Sequence, residues 1–260
     1  MELEGKSAII TGAGHGLGRA VSIRFAEEGA KVSLFSRTEA DLRKVSDEIS
    51  RKGGESQVVP GDVSREDDVA RLVERTVERF GTVDILVNNA AILGPPRFLE
   101  DATPDEWLKA ISINLNGVYY CCRAVLPQMV QRRSGRIINV TSGLGSRPYP
   151  RFCAYAVSKA GVNQITRSLA EELGAKNIKV NAIDPGVMDT KMQEQIRGLG
   201  EEKLGREVYN RFTSLKKEGG LGDPFHVAEL VVFLASPRSD HVNGQVVSIH
   251  DLPRLKRFRY

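Results

Sequence analysis

Residues 7–18 read Ser-Ala-Ile-Ile-Thr-Gly-Ala-Gly-His-Gly-Leu-Gly, and this stretch decides the fold. It begins with an apolar run of strand length, and a helical pattern follows from about Leu17 to Glu28. Between them lie four glycines within seven residues. Glycine permits a tight turn and a close backbone approach to a ligand, while the N-terminus of a helix offers unpaired N–H groups to a phosphate. The stretch therefore predicts a strand, a phosphate-binding loop and a helix.

The same alternation continues along the chain. Strands are predicted at Ser7–Ile10, Lys31–Ser36, Gln57–Val59, Val83–Asn88, Arg136–Val140, Ile178–Ile183 and Gln245–Ile249. Helices are predicted at Leu17–Glu28, after Thr38 with Asp41 at capping distance, after Ser64, at Thr103–Gln131, at Ala154–Leu173 and after Asp223. Strands regularly separated by helices are typical of α/β proteins. We therefore predict one domain over residues 1–260: a doubly wound parallel sheet of about seven strands with helices on both faces.

Two segments interrupt this regular pattern, and each follows a predicted strand, where open α/β sheets bind their ligands. The first spans residues 90–102 and contains Gly94-Pro95-Pro96. The second, residues 191–222, is too long for a simple connection and carries scattered apolar residues. We expect it to form a lid with one or two short helices over the crevice.

Composition excludes several classes of protein. The 260 residues are 41% hydrophobic and 27% charged, which is typical of a globular domain. No apolar run approaches the roughly 18 residues of a membrane span, and the start lacks the features of a signal peptide. The three cysteines and four histidines have no metal-site spacing. A cytoplasmic protein without a bound metal is the expectation.

The net charge of +4 comes from the C-terminus. Residues 254–260 carry four basic side chains and no acid, so the rest of the chain is formally neutral. A basic tail is able to contact phosphate or a lipid surface. A solvated end, or one that contacts another subunit, is the favoured interpretation, and nucleic acid is not an expected partner.

A second chemical pattern lies at Tyr155-Ala156-Val157-Ser158-Lys159. Residues four apart share one face of a helix, and an ammonium beside a phenol favours the phenolate, which lowers the pKa of a candidate acid/base. Ser142 lies thirteen residues before Tyr155, just past a predicted strand, so it should also face the crevice. Asn114 falls inside a predicted helix, where a polar side chain is unfavourable unless it has a role.

These motifs resemble those of the short-chain dehydrogenase/reductase family. Thr11, Gly12, Gly16 and Gly18 match its TGxxxGxG spacing, and Asn114, Ser142, Tyr155 and Lys159 match its catalytic tetrad. The resemblance covers roughly residues 5–250 and extends to members such as NADP-dependent carbonyl and 3-oxoacyl-acyl-carrier-protein reductases. It implies a Rossmann fold, carbonyl–alcohol interconversion and a homodimer or homotetramer.

The resemblance also implies roles for individual residues. Tyr155 would exchange the proton of the substrate oxygen, and Ser142 would hydrogen-bond that oxygen. Lys159 would lower the pKa of Tyr155 and bind the nicotinamide ribose, and Asn114 would hold a water linked to Lys159. The implied cofactor-binding residues are Gly12, Gly14, His15, Gly16, Leu17, Gly18, Ser36, Arg37, Asp62, Val63, Asn89, Ala90, Tyr155, Lys159, Pro185, Gly186, Val187 and Thr190.

The end of the second strand predicts the cofactor. NAD-binding relatives usually place an acid there for the ribose 2′-hydroxyl. This chain has Ser36 followed by Arg37, and a hydroxyl with a guanidinium suits a 2′-phosphate. NADP(H) is therefore predicted over NAD(H). His15 is either a neighbour of the same phosphate or a loop residue without a role.

The substrate is less specified. Leu93, Leu144, Tyr149, Met188 and Met192 are expected to line an apolar pocket. Such a pocket suits a 3-oxoacyl thioester or another ketone. Residues 187–193 are also similar to the sepiapterin and benzil reductase branch, which indicates a diketone reductase as an alternative. A non-catalytic NADP-binding sensor or scaffold is a further alternative, although the intact Ser142, Tyr155 and Lys159 count against it.

Overall fold

A computed structural model describes residues 1–251, and one parallel seven-stranded sheet forms its centre. The strands are β1 Ser7–Thr11, β2 Lys31–Ser36, β3 Glu55–Pro60, β4 Ile85–Asn88, β5 Gly135–Val140, β6 Ile178–Asp184 and β7 Val246–Ser248. Their order is β3-β2-β1-β4-β5-β6-β7. From β1 the chain first adds strands on one side, β2 and β3, and then adds β4 to β7 on the other side. The ligand crevice of such sheets lies where these two directions meet, between β1 and β4. The predicted fold class is confirmed.

Ten α-helices connect and cover these strands within residues 1–251. They are α1 Gly16–Glu27, α2 Glu39–Arg51, α3 Glu66–Phe80, α4 Pro104–Ile111, α5 Gly117–Arg132, α6 Cys153–Leu173, α7 Lys191–Gly198, α8 Gly200–Leu204, α9 Arg206–Lys217 and α10 Pro224–Ala235. Helices α1, α2 and α10 pack on one face of the sheet, and α3, α5 and α6 pack on the other. Both faces of the sheet are covered by helices. This explains why the strand sequences are continuous apolar runs.

The predicted helix over residues 103–131 is interrupted. It begins as expected, because Thr103 and Glu106 form a reciprocal capping box before α4. Residues Ser112–Asn116 then form a π-helical turn before α5 continues. An extra residue in a turn rotates the side chains on either side of it, and such bulges are frequent at functional sites. Asn114 lies inside this turn and is completely buried.

Other boundaries differ from prediction. Strand β3 is longer than the predicted Gln57–Val59, and β7 ends at Ser248, where a 3₁₀ turn begins. The segment 191–222 holds three helices rather than one or two, because Gly200 and Gly205 adopt positive φ and break the helical path.

The segment predicted to form a lid, residues 191–222, contributes to a separate small core. Phe152, Ile196, Leu204 and Val208 are buried together, apart from the two clusters that flank the sheet. No helix within residues 1–251 is long and apolar enough to cross a membrane. The basic tail predicted at 254–260 lies outside the described residues.

A buried chain of polar side chains crosses the sheet beneath the crevice. The Asn88 amide donates to Asn139 Oδ1 at 2.9 Å, and the Asn139 amide donates to Thr166 Oγ1, also at 2.9 Å. All three residues are buried. Because unpaired buried amides are costly, these bonds tie β4, β5 and α6 into one relative position.

Replacing Asn139 by Leu should therefore destabilise the fold by about 1–3 kcal/mol, since the buried Asn88 amide would lose its bond to Asn139 and keep only the longer contact with Cys122 Sγ at 3.5 Å. The double variant Asn88→Leu/Asn139→Leu removes both groups and should lose less than the sum of the two single variants. Urea unfolding of the three variants measures this. Simple additivity would contradict a coupled pair.

Candidate active site

A cavity of about 310 Å³ opens at the carboxyl ends of β1, β4, β5 and β6. Most of the predicted site residues line it: Gly12, His15, Gly16, Leu17, Asn89, Ala90, Leu93, Ser142, Leu144, Tyr149, Tyr155, Lys159, Pro185, Gly186, Val187, Met188, Thr190 and Met192. A second cavity of about 230 Å³ adjoins it. That one is lined by the predicted residues Gly12, Gly14, His15, Ser36, Arg37, Asp62, Val63 and Ala90. Gly18 and Asn114 line neither cavity.

The glycine loop is held against the end of β4. The Asn89 side-chain amide donates to the carbonyl oxygens of Thr11 (2.9 Å) and Gly12 (3.2 Å). Thr11 Oγ1 accepts from the backbone N–H groups of Asn89 and Ala90, each at 3.0 Å. A Cβ on Gly18 would lie 2.1 Å from the Gly12 oxygen, so only glycine fits there. Gly18 and Asn89 therefore fix the conformation of the glycine loop, whose other residues face the two cavities.

The second cavity ends at a charged cluster. Arg37 is exposed at the end of β2 and makes no ion pair within residues 1–251. Beside it, His15 Nε2 lies 2.7 Å from Asp41 Oδ2, and Lys191 Nζ lies 3.2 Å from His15 Nε2. His15 thus links the glycine loop to both α2 and the lid helix α7.

Thr38 is the N-cap residue of α2, as predicted, but the expected side-chain capping bonds do not form. The Thr38 side chain makes no cap, and the Asp41 carboxylate turns instead to His15 and, at 3.8 Å, to Lys44. The spacing of Thr38 and Asp41 is local, whereas His15 approaches α2 only after β1 and β2 pair. Sequence reasoning therefore missed Asp41 as a member of the cofactor-side cavity.

Ser142 and Tyr155 meet at the floor of the larger cavity. Ser142 follows β5, and Tyr155 lies in the first turn of α6. Removal of the Tyr155 phenol from bulk water raises its pKa to about 12, and a hydrogen bond with Ser142 acts in the opposite direction. The negative charge of Asp184 adds to the increase. The phenol is thus protonated at neutral pH and is able to donate a proton to a carbonyl oxygen.

Lys159 lies below Tyr155 and is 2% exposed. Its Nζ donates to the Val140 carbonyl oxygen at 2.8 Å and lies 5.7 Å from the centre of the Tyr155 ring. Burial lowers the pKa of Lys159 to about 8. Burial is the largest effect on the pKa of both residues, and Lys159 is not among the groups that shift the pKa of Tyr155 here, so its predicted role in lowering that pKa stays a prediction.

Asn114 connects the loop after β4 to α6. Its Oδ1 accepts from the Ile92 N–H, and its Nδ2 donates to the Ile92 carbonyl oxygen, both at 2.8 Å. The same Nδ2 lies 3.1 Å from Ser158 Oγ, which donates to the Tyr155 carbonyl oxygen. The side chain of Asn114 thus positions two walls of the cavity, and the water implied by resemblance stays a prediction.

The substrate side of the cavity contains the predicted apolar residues and several others. Sequence reasoning missed Phe152, Gln193, Ile196, Arg211 and Phe212 as lining residues. Their helical spacing was visible, since Met192 and Ile196, like Val208 and Phe212, are four residues apart. Periodicity identifies a buried face, but it does not identify which part of the chain that face covers. Within residues 1–251, no cluster of three or more His, Cys, Asp or Glu side chains could hold a metal ion.

Comparisons with known proteins agree with this geometry. The family model for short chain dehydrogenases matches residues 6–198. A 3-oxoacyl-acyl-carrier-protein reductase from Thermotoga maritima is 37% identical over 250 residues, which cover 96% of this chain and 98% of that protein.

Two crystal structures are also similar. Levodione reductase has a TM-score of 0.88 and 35% identity, covering 95% of this chain and 96% of that one. A point variant of actinorhodin polyketide ketoreductase with NADPH has a TM-score of 0.87 and 32% identity, covering 94% and 95%.

The low pKa of Lys159 predicts a pH-dependent stability in the absence of cofactor. The unfolded chain keeps this proton up to the ordinary pKa of 10.5, whereas the folded chain loses it near 8. Between these values the unfolded state binds more protons, so stability rises with pH. From pH 7 to pH 9 the free energy of unfolding of the wild type should rise by about 1 kcal/mol relative to Lys159→Met.

Urea unfolding at the two pH values measures this difference, and Lys6→Met, at an exposed position, is the matched control. The comparison ends at pH 9 because burial raises the pKa values of Cys121, Cys122 and Tyr155. Above that pH the folded state holds more protons on these groups than the unfolded state does, which lowers the stability as the pH rises. A difference between wild type and Lys159→Met that does not change with pH would show that Lys159 stays charged in the folded state.

Proposed function

Because this chain belongs to the short-chain dehydrogenase family, we propose that it interconverts a carbonyl and an alcohol with NADP(H), using Tyr155 as the general acid/base. The protein is an oxidoreductase that acts on C=O or CH–OH groups, as its ketoreductase relatives are. The observation that carries the proposal is the meeting of Ser142, Tyr155 and Lys159 at the floor of a cavity that continues into the glycine loop.

The residues present fit a dinucleotide phosphate. Gly12 and Gly16 adopt positive φ, and the tight contact of Gly18 with the Gly12 oxygen leaves the loop open toward the cavities. At the far end, the half-buried Ser36 and the unpaired Arg37 supply a hydroxyl and a guanidinium for a 2′-phosphate. NADP(H) when bound supplies or accepts the hydride, and the protein orients it and handles the proton.

Tyr155 and Ser142 act on the substrate oxygen. The pKa of Tyr155, raised to about 12, keeps the phenol protonated, so it donates to the carbonyl oxygen as negative charge develops there. Ser142 donates a second hydrogen bond to the same oxygen. This protonation state favours reduction of a carbonyl at neutral pH.

The apolar wall formed by Leu93, Leu144, Met188 and Met192 suits a ketone with a hydrocarbon part. A 3-oxoacyl thioester is the first candidate, by similarity to the curated reductase. A dione is the second, since levodione reductase is similar in structure over 95% of this chain.

We also propose that the protein is a homodimer or homotetramer. Members of the family are commonly oligomeric. Large apolar side chains are exposed on three neighbouring helices: Leu108 on α4, Tyr119 on α5 and Val157 on α6 are 60%, 50% and 43% exposed. Burying such residues between subunits is favourable. A cytoplasmic location stays a prediction.

Replacing Tyr155 by Phe tests the proton-transfer step. The kcat of reduction should fall by about 10²–10⁴-fold, because the ring is kept and only the acidic hydroxyl is lost. The Kd of NADPH, followed by fluorescence titration, should stay nearly unchanged. Activity is measured from NADPH absorbance against ketones, diones, quinones and 3-oxoacyl thioesters. Tyr119→Phe, remote from both cavities, is the control, and wild-type turnover by Tyr155→Phe would refute the assignment.

Replacing Arg37 by Asp tests the cofactor assignment. An added carboxylate should repel a 2′-phosphate and accept from a 2′-hydroxyl, so the ratio of NADPH to NADH affinity should fall by about 10–100-fold. Arg51→Asp makes the same charge change at the exposed end of α2 and should leave the ratio unaltered. An unchanged ratio in Arg37→Asp would place the 2′-phosphate elsewhere.

A further inference from the structure

We propose that the substrate carries an anionic group, and that Arg211 of the lid binds it. This inference rests on the proposed function, because it describes the substrate of the same cavity. The residues that support it are Arg211 on α9 and Tyr149 on the facing loop, both of which line the cavity.

Arg211 is exposed at the rim of the cavity and forms no ion pair with an acid within residues 1–251. Its guanidinium carbon lies 5.1 Å from the centre of the Tyr149 ring. Of the neighbouring cations, Lys216 pairs with Asp189 at 2.6 Å, and Lys191 lies 3.2 Å from His15. Arg211 therefore brings an uncompensated positive charge to the substrate side of the cavity.

The residue that packs against this charge carries a buried polar atom, Tyr149 Oη, that has no hydrogen-bond partner in the described part of the chain. A buried polar group without a partner costs free energy, so an unpaired hydroxyl on a cavity wall indicates a group that a ligand or a lid adjustment satisfies. The Tyr149 hydroxyl is able to donate, as the Arg211 guanidinium does. Two donors of this kind suit an acceptor with several oxygens.

The remaining walls do not provide an alternative partner for Arg211. Phe152, Met192 and Phe212 are apolar, and Glu207, one turn before Arg211 on the same helix, forms no ion pair with it. A guanidinium forms its strongest hydrogen bonds with planar or tetrahedral oxyanions, often in pairs. A carboxylate or a phosphate is thus the group that Arg211 would recognise in this cavity.

Such an anion has two chemical sources, and matched ligand pairs separate them. One is the carboxylate of a small keto acid, tested with 5-oxohexanoate and its methyl ester. The other is the phosphate of a pantetheine-type thioester, tested with acetoacetyl-CoA and acetoacetyl-N-acetylcysteamine. Each pair keeps the reacting ketone and changes the anionic group.

The experiment measures kcat/KM and binding for all four compounds in the enzyme saturated with NADPH. Binding is read from the fluorescence of bound NADPH in the Tyr155→Phe background, with and without each Arg substitution, because that variant should keep the nucleotide without oxidising it. In the wild type, the anionic member of at least one pair should be preferred. Arg211→Gln should reduce that preference by about 10–100-fold, and Arg211→Lys should retain part of it.

Arg206→Gln is the matched control, because it removes the same charge from an exposed position in the first turn of α9. The inference would be overturned if the wild type bound and reduced both members of each pair equally well. It would also be overturned if Arg211→Gln and Arg206→Gln changed the preference for the anionic compound to the same extent, or if none of the four compounds bound.

The two proposals fail separately. If neutral ketones are reduced and Arg211→Gln has no selective effect, the proposed function stands and the anion site is wrong. If an anionic compound binds in an Arg211-dependent manner and is not reduced, the anion site stands and turnover of these ketones is refuted. Tyr155→Phe should keep the binding preference while losing turnover, so this variant measures binding at the anion site separately from catalysis.

Discussion

The close contact between the glycine loop and the end of β4 is the constraint on which the rest of the site depends. Asn89 donates to the carbonyl oxygens of Thr11 and Gly12, and Gly18 approaches the Gly12 oxygen too closely for any other residue. These contacts join β1 to β4, where the order of strands reverses. Because the sheet opens at that point, the same bonds that complete the fold also place the loop beside the crevice.

Desolvation gives the floor of the crevice its chemistry. It raises the pKa of Tyr155 to about 12 and lowers that of Lys159 to about 8, so at neutral pH the phenol is protonated and the lysine still carries most of its charge. Two oppositely charged groups in water would stabilise each other's ionised forms, and this is the expectation that the spacing of YxxxK suggests. Burial of both groups acts against that mutual stabilisation. A neutral phenol is a proton donor, which agrees with a reductase.

Residues 191–222, the predicted lid, pack differently from the sheet. The sheet packs against two continuous apolar clusters, whereas residues 191–222 have a small core and several buried polar atoms without a partner in the described part of the chain, among them Gln193 Oε1, Arg197 Nη1 and Thr213 Oγ1. Fewer apolar contacts and unsatisfied polar groups are typical of the least stable parts of a fold. This packing is compatible with the predicted lid, on which Arg211 lies.

The amino-acid sequence was sufficient to predict the succession of strands and helices, the glycine loop between β1 and α1, and the residues that meet at the floor of the crevice. Those features follow from hydrophobic period and short spacings, which are local properties of the chain. The π turn at Asn114, the pairing of Asp41 with His15 and the lowered pKa of Lys159 depend on the tertiary structure. Each of these depends on which distant side chains approach and how much water they exclude, and neither quantity is written in the spacing of nearby residues.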